Sequence, residues 1–165
     1  FYTKKQFNSH KLREEFDKHF KKVEEIYLAE DTLGLDVWGI RISFFRYPYR
    51  LIRSQKELEG INLASLEDIA AMKIISISQR GKKRDFIDIY FLIKEFDLSK
   101  IIKFVQEKYP MFNIYVGLQG LTYFKDADKD PEKERFRLLK EVDWKEIKKF
   151  IVSKVNQFKK SYLEK

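Results

Sequence analysis

The chain reads as an α/β (α+β) protein: a small, mainly antiparallel sheet flanked by helices, followed by a helical C-terminal half. Three observations predict it. Between residues 31 and 47 apolar side chains alternate with period two, the pattern of half-buried strands. Between residues 63 and 96 they recur every three or four positions, the pattern of helices with one buried face. At 165 residues, 44% of them hydrophobic, the chain is long enough for one domain with a real core and too apolar for disorder. The expected organisation is a single domain over 1–165. Residues 1–64 supply a helix and a β-hairpin, and residues 65–165 the helical part.

Taken in order, FYTKKQF reads as the end of a strand leaving a core. Asn8 or Ser9 then caps an amphipathic helix expected to run to about Leu28, with Leu12, Phe16, Phe20, Val23 and Tyr27 on its apolar face. DTLGLDV and GIRISFFRY form a β-hairpin around Trp38–Gly39, and Pro48, which has no N–H to donate, ends the second strand. Arg46, Arg50 and Arg53 interleave with Tyr47, Tyr49 and Ile52. That pattern suits an edge strand entering a loop; it also suits a strip that stacks on bases and touches phosphates. The polar run SQKELEG leads to a short strand at residues 61–64.

Ser65 is the N-cap of the next helix, with Asp68 in the capping-box position and Leu66, Ile69, Ala70, Ile74 and Ile77 facing inward. Gly81 suits the residue just past its end, and Arg84 or Asp85 opens the following helix. Asp97 or Ser99 caps a third helix over about 100–108, before Pro110. Residues 112–124 read as a mostly apolar helix in which Gly117 and Gly120 allow close backbone approach. LTYFKDADKDPEKER then turns polar; Asp126, Asp128 and Asp130 have alternate spacing but lack the glycine and closing glutamate of a calcium loop. Asp143 caps a last helix from Trp144 towards Tyr162, with Ile147, Phe150, Ile151, Val155 and Phe158 on one face and Lys145, Lys148, Lys149, Lys159 and Lys160 on the other.

Composition removes several chemistries. With no cysteine there are no disulfides, thiol nucleophiles or cysteine-ligated metals. The two histidines, His10 and His19, fall at unrelated points of one polar helix, which argues against histidine-based metal or acid–base work. No apolar run approaches the roughly 18 residues of a membrane span and no signal peptide is visible, so the expectation is a cytoplasmic protein without a membrane partner. The net charge is +8, and +4 of it lies in residues 142–165. Such an excess favours a polyanion such as nucleic acid, although a solvated lysine helix gives the same count.

The most chemically loaded stretch is the turn between the two central helices. Lys73 and Arg80 are seven residues apart, hence nearly in line along one helix, and Asp85 and Asp88 are three apart on the next. Two aligned cations thus meet two aligned carboxylates across a short basic turn, Lys82-Lys83-Arg84. By spacing alone this is either a set of ordinary ion pairs or the charged half of a phosphate site.

SLEDIAAMKIISISQRGKKRDFIDIYFL resembles the AbiEii/AbiGii family of nucleotidyltransferase toxins, the toxin half of a type IV toxin–antitoxin pair associated with phage abortive infection. The resemblance runs from about Thr32 to Trp144, taking in RISFFRYPYRLI and YFKDADKDP; its most specific parts are Lys73-x6-Arg80 and Arg84-Asp85-x-x-Asp88. It implies the nucleotidyltransferase fold and transfer of nucleotides from an NTP to RNA, with tRNA 3′ ends as the substrate class, Mg²⁺ and NTP as cofactors and a cognate antitoxin as partner. Lys73 and Arg80, with Arg84, would hold phosphates, Lys as a point charge and Arg as a clamp. Asp85 or Asp88 would act as base towards the acceptor hydroxyl or orient Lys73. Lys82, Lys83, Arg46, Arg50, Lys148 and Lys149 would carry the nucleic-acid backbone.

The sequence departs from the family pattern at the metal. The Gly-Ser/Thr turn and Asp-x-Asp pair of the family's first strand do not occur, and Ser43 stands where a third carboxylate is common. The expectation is that this strand precedes Phe1 in a longer chain; a degenerate relative is the other reading. The alternative function is accordingly a catalytically incomplete module of the same fold that binds RNA or an antitoxin. A metal-dependent nuclease would need an Asp on one strand and Glu-x-Lys on the next, a pair the 31–47 hairpin does not hold.

Overall fold

The computed structural model describes residues 1–130 and 142–163 and shows two compact units, Phe1–Arg50 and Leu51–Lys165. The first unit contains β1 (Tyr2–Thr3), α1 (Ser9–His19), β2 (Val23–Ala29), β3 (Thr32–Val37) and β4 (Ile40–Arg46). Its sheet has the order β1-β4-β3-β2, antiparallel throughout except for the parallel β1–β4 pair, where Tyr2 lies opposite Phe45. Leu33, Leu35 and Val37 of β3 are buried against Leu12 and Phe16 of α1, against Phe20 just past its end, and against Val23, Leu28, Ile42 and Phe44 of the sheet.

One expectation is corrected here. The helix that begins at the Asn8 cap ends at His19, not near Leu28. Phe20 is already extended, and residues 23–29 form β2. The misreading has a cause in the backbone: the β2–β3 register slips between Glu25 and Tyr27, and an irregularity of that kind resets the period-two alternation. Val23 and Leu28 accordingly both pack on the core although five residues apart, while Tyr27 is exposed.

The second unit opens with a two-stranded hairpin, β5 (Lys56–Leu58) and β6 (Ile61–Leu63), followed by α2 (Leu66–Arg80), α3 (Lys83–Phe96), α4 (Leu98–Lys108), α5 (Ile114–Gly120), α6 (Lys125–Asp128) and α7 (Trp144–Leu163). β5 falls in the run read as a polar connection. The segment read as one helix over 112–124 is shorter: Asn113 caps α5, which ends at Gly120. The polar residues from Pro131 to Arg135 lie outside the described residues.

α2 is the centre of this unit, packed against α3, α4 and α5. Its Ala70, Ala71, Ile74 and Ile77 are buried with Phe86, Ile89 and Ile93 of α3 and Ile101 and Val105 of α4. α5 seats directly on α2, as its glycines suggest: a Cβ added at Gly120 would stand 3.1 Å from the Ser78 Cα, tighter than packing allows without movement. Removing one such core side chain, Ile74 for instance, costs about 2–5 kcal/mol by the usual cavity cost of Ile→Ala.

Candidate active site

Gly81 makes the site possible. It is the C-cap of α2 with φ 52° and ψ 36°, a left-handed conformation that costs a side-chain-bearing residue about 1–2 kcal/mol. The chain therefore turns sharply after Arg80, and α3 starts at Lys83 with Asp85 in its first turn, where the helix dipole favours a carboxylate.

The four residues picked out by spacing come together. Arg80 forks onto Asp85, Nε to Oδ2 at 3.0 Å and Nη2 to Oδ1 at 3.2 Å. Lys73 donates to Asp85 Oδ1 at 3.0 Å and pairs with Asp88 Oδ2 at 2.5 Å. Asp85 is fully buried, whereas the side chains of Lys73, Arg80 and Asp88 are 21%, 45% and 47% exposed. The anionic centre thus lies beneath and its cations reach the surface. Burial by itself would raise the Asp85 pKa; the Arg80 fork and the Lys73 ammonium outweigh it and hold the carboxyl below its ordinary value.

The donor count follows. An ammonium has three N–H groups and a guanidinium five. Lys73 spends two on the carboxylates and Arg80 two on Asp85, so both retain donors while locked in position. That is an arrangement able to receive phosphate oxygens.

The remaining basic residues divide. Lys82 is the N-cap of α3 and Arg84 is exposed in its first turn. Lys83 is held locally: its backbone N–H donates to Asp130 at 3.0 Å and its ammonium lies 5.0 Å from the Trp144 ring. Lys148 donates to Asp128 at 2.9 Å, and Asp128 also accepts the Trp144 indole N–H at 2.7 Å. The alternating aspartates thus include partners for α3 and α7. Lys149 is exposed. Arg46 and Arg50 belong to the first unit, where Arg46 lies 3.5 Å from Asp31.

The described residues do not offer a fitting magnesium site. Asp85 spends both oxygens on cations, no three His, Cys, Asp or Glu side chains converge among the described residues, and Ser43 Oγ is hydrogen-bonded to the Tyr27 hydroxyl at 2.8 Å.

One pairing escaped the sequence. Asp68 keeps the expected contact with Ser65, whose Oγ accepts its backbone N–H at 3.0 Å, but its carboxylate points inward. There it accepts Lys108 Nζ at 2.6 Å and the backbone N–H groups of Ile52 and Arg53, and both ionic partners are fully buried. The only local signal was a lysine in the last turn of an otherwise apolar helix face.

A 161-residue stretch is 34% identical to an uncharacterised protein of Aquifex aeolicus (strain VF5), covering 95% of this chain and 75% of that one. No solved structure matches. The family described as nucleotidyl transferase AbiEii toxin, type IV TA system, matches residues 5–162. Matched over nearly its whole length, the chain belongs to the AbiEii family of nucleotidyltransferase toxins.

Proposed function

We propose that this protein transfers nucleotides from an NTP to RNA, tRNA 3′ ends being the acceptor class, and that it does so in the cytoplasm beside a cognate antitoxin. The observation that carries the reading is the buried Asp85 with two surface-reaching cations locked onto it. Nucleotidyl transfer builds charge on the departing pyrophosphate, and fixed cations aimed at that charge are the largest single source of rate. Lys73 supplies a point charge and Arg80 a planar fork.

Asp85 is a positioning residue in this scheme, since a carboxyl held below its usual pKa by two cations is a poor proton acceptor. Asp88, half exposed and paired with Lys73, is the candidate base towards the acceptor hydroxyl. The acceptor backbone would run along Lys82, Lys83, Arg84 and Lys149, with Lys148 as a further contact; Arg46 and Arg50 of the first unit are phosphate contacts proposed in their own right.

The test is incubation of the full-length protein with each labelled NTP, Mg²⁺ and an RNA pool rich in tRNA. Lys73→Ala is expected to lower transfer about 10²–10³-fold, the usual effect of removing one stabilising donor. Asp88→Asn is expected to abolish transfer with circular dichroism unchanged. Full activity in both variants would end this reading. Tight RNA or antitoxin binding with no NTP or Mg²⁺ dependence would instead make the protein a binding module.

A further inference from the structure

Beside Arg80 lies a groove of about 560 Å³ that the phosphate chemistry leaves unused, within the 300–1,000 Å³ range of small-molecule pockets. It is lined by Gln79 and Arg80 from the end of α2, by Gln119, Thr122 and Tyr123 around the end of α5, and by Asp126 of α6. We propose that this groove holds the nucleoside part of a nucleotide whose phosphate is gripped by Arg80. The inference rests on the nucleotidyl-transfer reading and adds where the ring sits.

Four features carry it. Arg80 is shared: it forks onto Asp85 and lines the groove, so phosphate and nucleoside would be neighbours across one side chain. The close seating of Gly120 on Ser78 holds the end of α5 against the end of α2, so Gln119 and Tyr123 line the same groove as Gln79 and Arg80. Tyr123 is 51% exposed at the groove, a phenol available for stacking on a base. The Gln79 and Gln119 amides and the Asp126 carboxylate make no hydrogen bond among the described residues. The amides present both donors and acceptors, as a base edge requires. Asp126 fixes the direction: a carboxylate repels phosphate and accepts from an amino or hydroxyl group, so the phosphates lie at Arg80 and the base or ribose lies beyond it.

The experiment measures binding of the full-length protein, in Mg²⁺ buffer, to tripolyphosphate, to ATP, GTP, CTP and UTP, and to a short RNA with a 3′ hydroxyl. Tyr123→Leu and Gln119→Ala are compared with wild type, with Tyr123→Phe as the conservative control. Tyr123→Leu is expected to weaken a nucleoside-bearing ligand about tenfold or more, Tyr123→Phe to restore it, and tripolyphosphate to bind as before. Loss confined to NTPs assigns the groove to the incoming nucleotide; loss confined to the RNA assigns it to the acceptor's terminal residue. Unchanged nucleoside affinity in both variants, or an equal loss for tripolyphosphate, overturns the proposal. If tripolyphosphate binding disappears in Arg80→Ala while Tyr123→Leu changes nothing, the groove assignment alone falls. If wild type binds none of these ligands, the nucleotidyl-transfer reading falls with it.

Discussion

Asp68 and Asp85 are both fully buried, both accept a lysine ammonium, and both are held below the ordinary carboxylate pKa against the opposing effect of burial. They differ in where their partners lead. Asp68 is closed off by Lys108, a serine hydroxyl and two backbone N–H groups, a knot that ties α4 and the 52–53 loop to the start of α2. Asp85 is capped by side chains that continue to the surface. The lesson is that burial of a charge does not by itself mark a working site; the direction of its counter-ions decides.

The largest effect expected from this contrast is on stability. Asp68→Ala breaks the fully buried ion pair with Lys108 and should lower the unfolding free energy by about 3–5 kcal/mol in urea denaturation. Lys108→Met keeps the bonds from Ile52 and Arg53 to Asp68 and should cost less. If Asp68→Ala lowered transfer per folded molecule as much as a change at Asp85, the contrast would be lost.

Asp85→Asn keeps the shape and removes the charge. It should cost about 1.5–3 kcal/mol, the worth of a hydrogen bond to a charged group, and reduce tripolyphosphate affinity as Lys73 and Arg80 lose their anchor. Acid sharpens the result. Because both folded-state pKa values are depressed, the stability from Asp68 and Asp85 is complete above the unfolded value of about 4 and is lost as pH falls through the folded values. Asp85→Asn should therefore flatten the acid limb of the stability–pH curve without removing it. An unaltered limb would mean that Asp85 titrates as it does in the unfolded chain.

The smallest effect concerns Lys149, a surface cation without a carboxylate partner among the described residues. Lys149→Ala should leave the unfolding midpoint unmoved and lower the slope of log affinity for RNA against log salt by about one. An unchanged slope would remove Lys149 from the RNA path.

Local rules recovered what depends on local geometry. The Ser65 cap, the Gly81 turn and the 31–47 hairpin follow from residue type and period, and the Lys73–Arg80 and Asp85–Asp88 spacings suffice to put four charges together. What was lost depends on distant partners or on irregularity. The β2 strand hid behind a register slip, and β5, the exposed partner of the expected strand at 61–63, carried no buried residue to reveal it. Asp68 looked like a cap because its partner Lys108 lies 40 residues away. The Arg80 groove needs α5 seated on α2, which glycine spacing hints at but does not orient.

Each compact unit carries one of the chain's two tryptophans. Trp38 is at the tip of the hairpin, edge-on to Phe20, while Trp144 donates to Asp128 beneath two ammonium groups. Their indoles sit in unlike surroundings, one open and apolar on one side, the other charged. Single-tryptophan variants, Trp38→Phe and Trp144→Phe, thus turn intrinsic fluorescence into a separate optical reporter for each half of the chain.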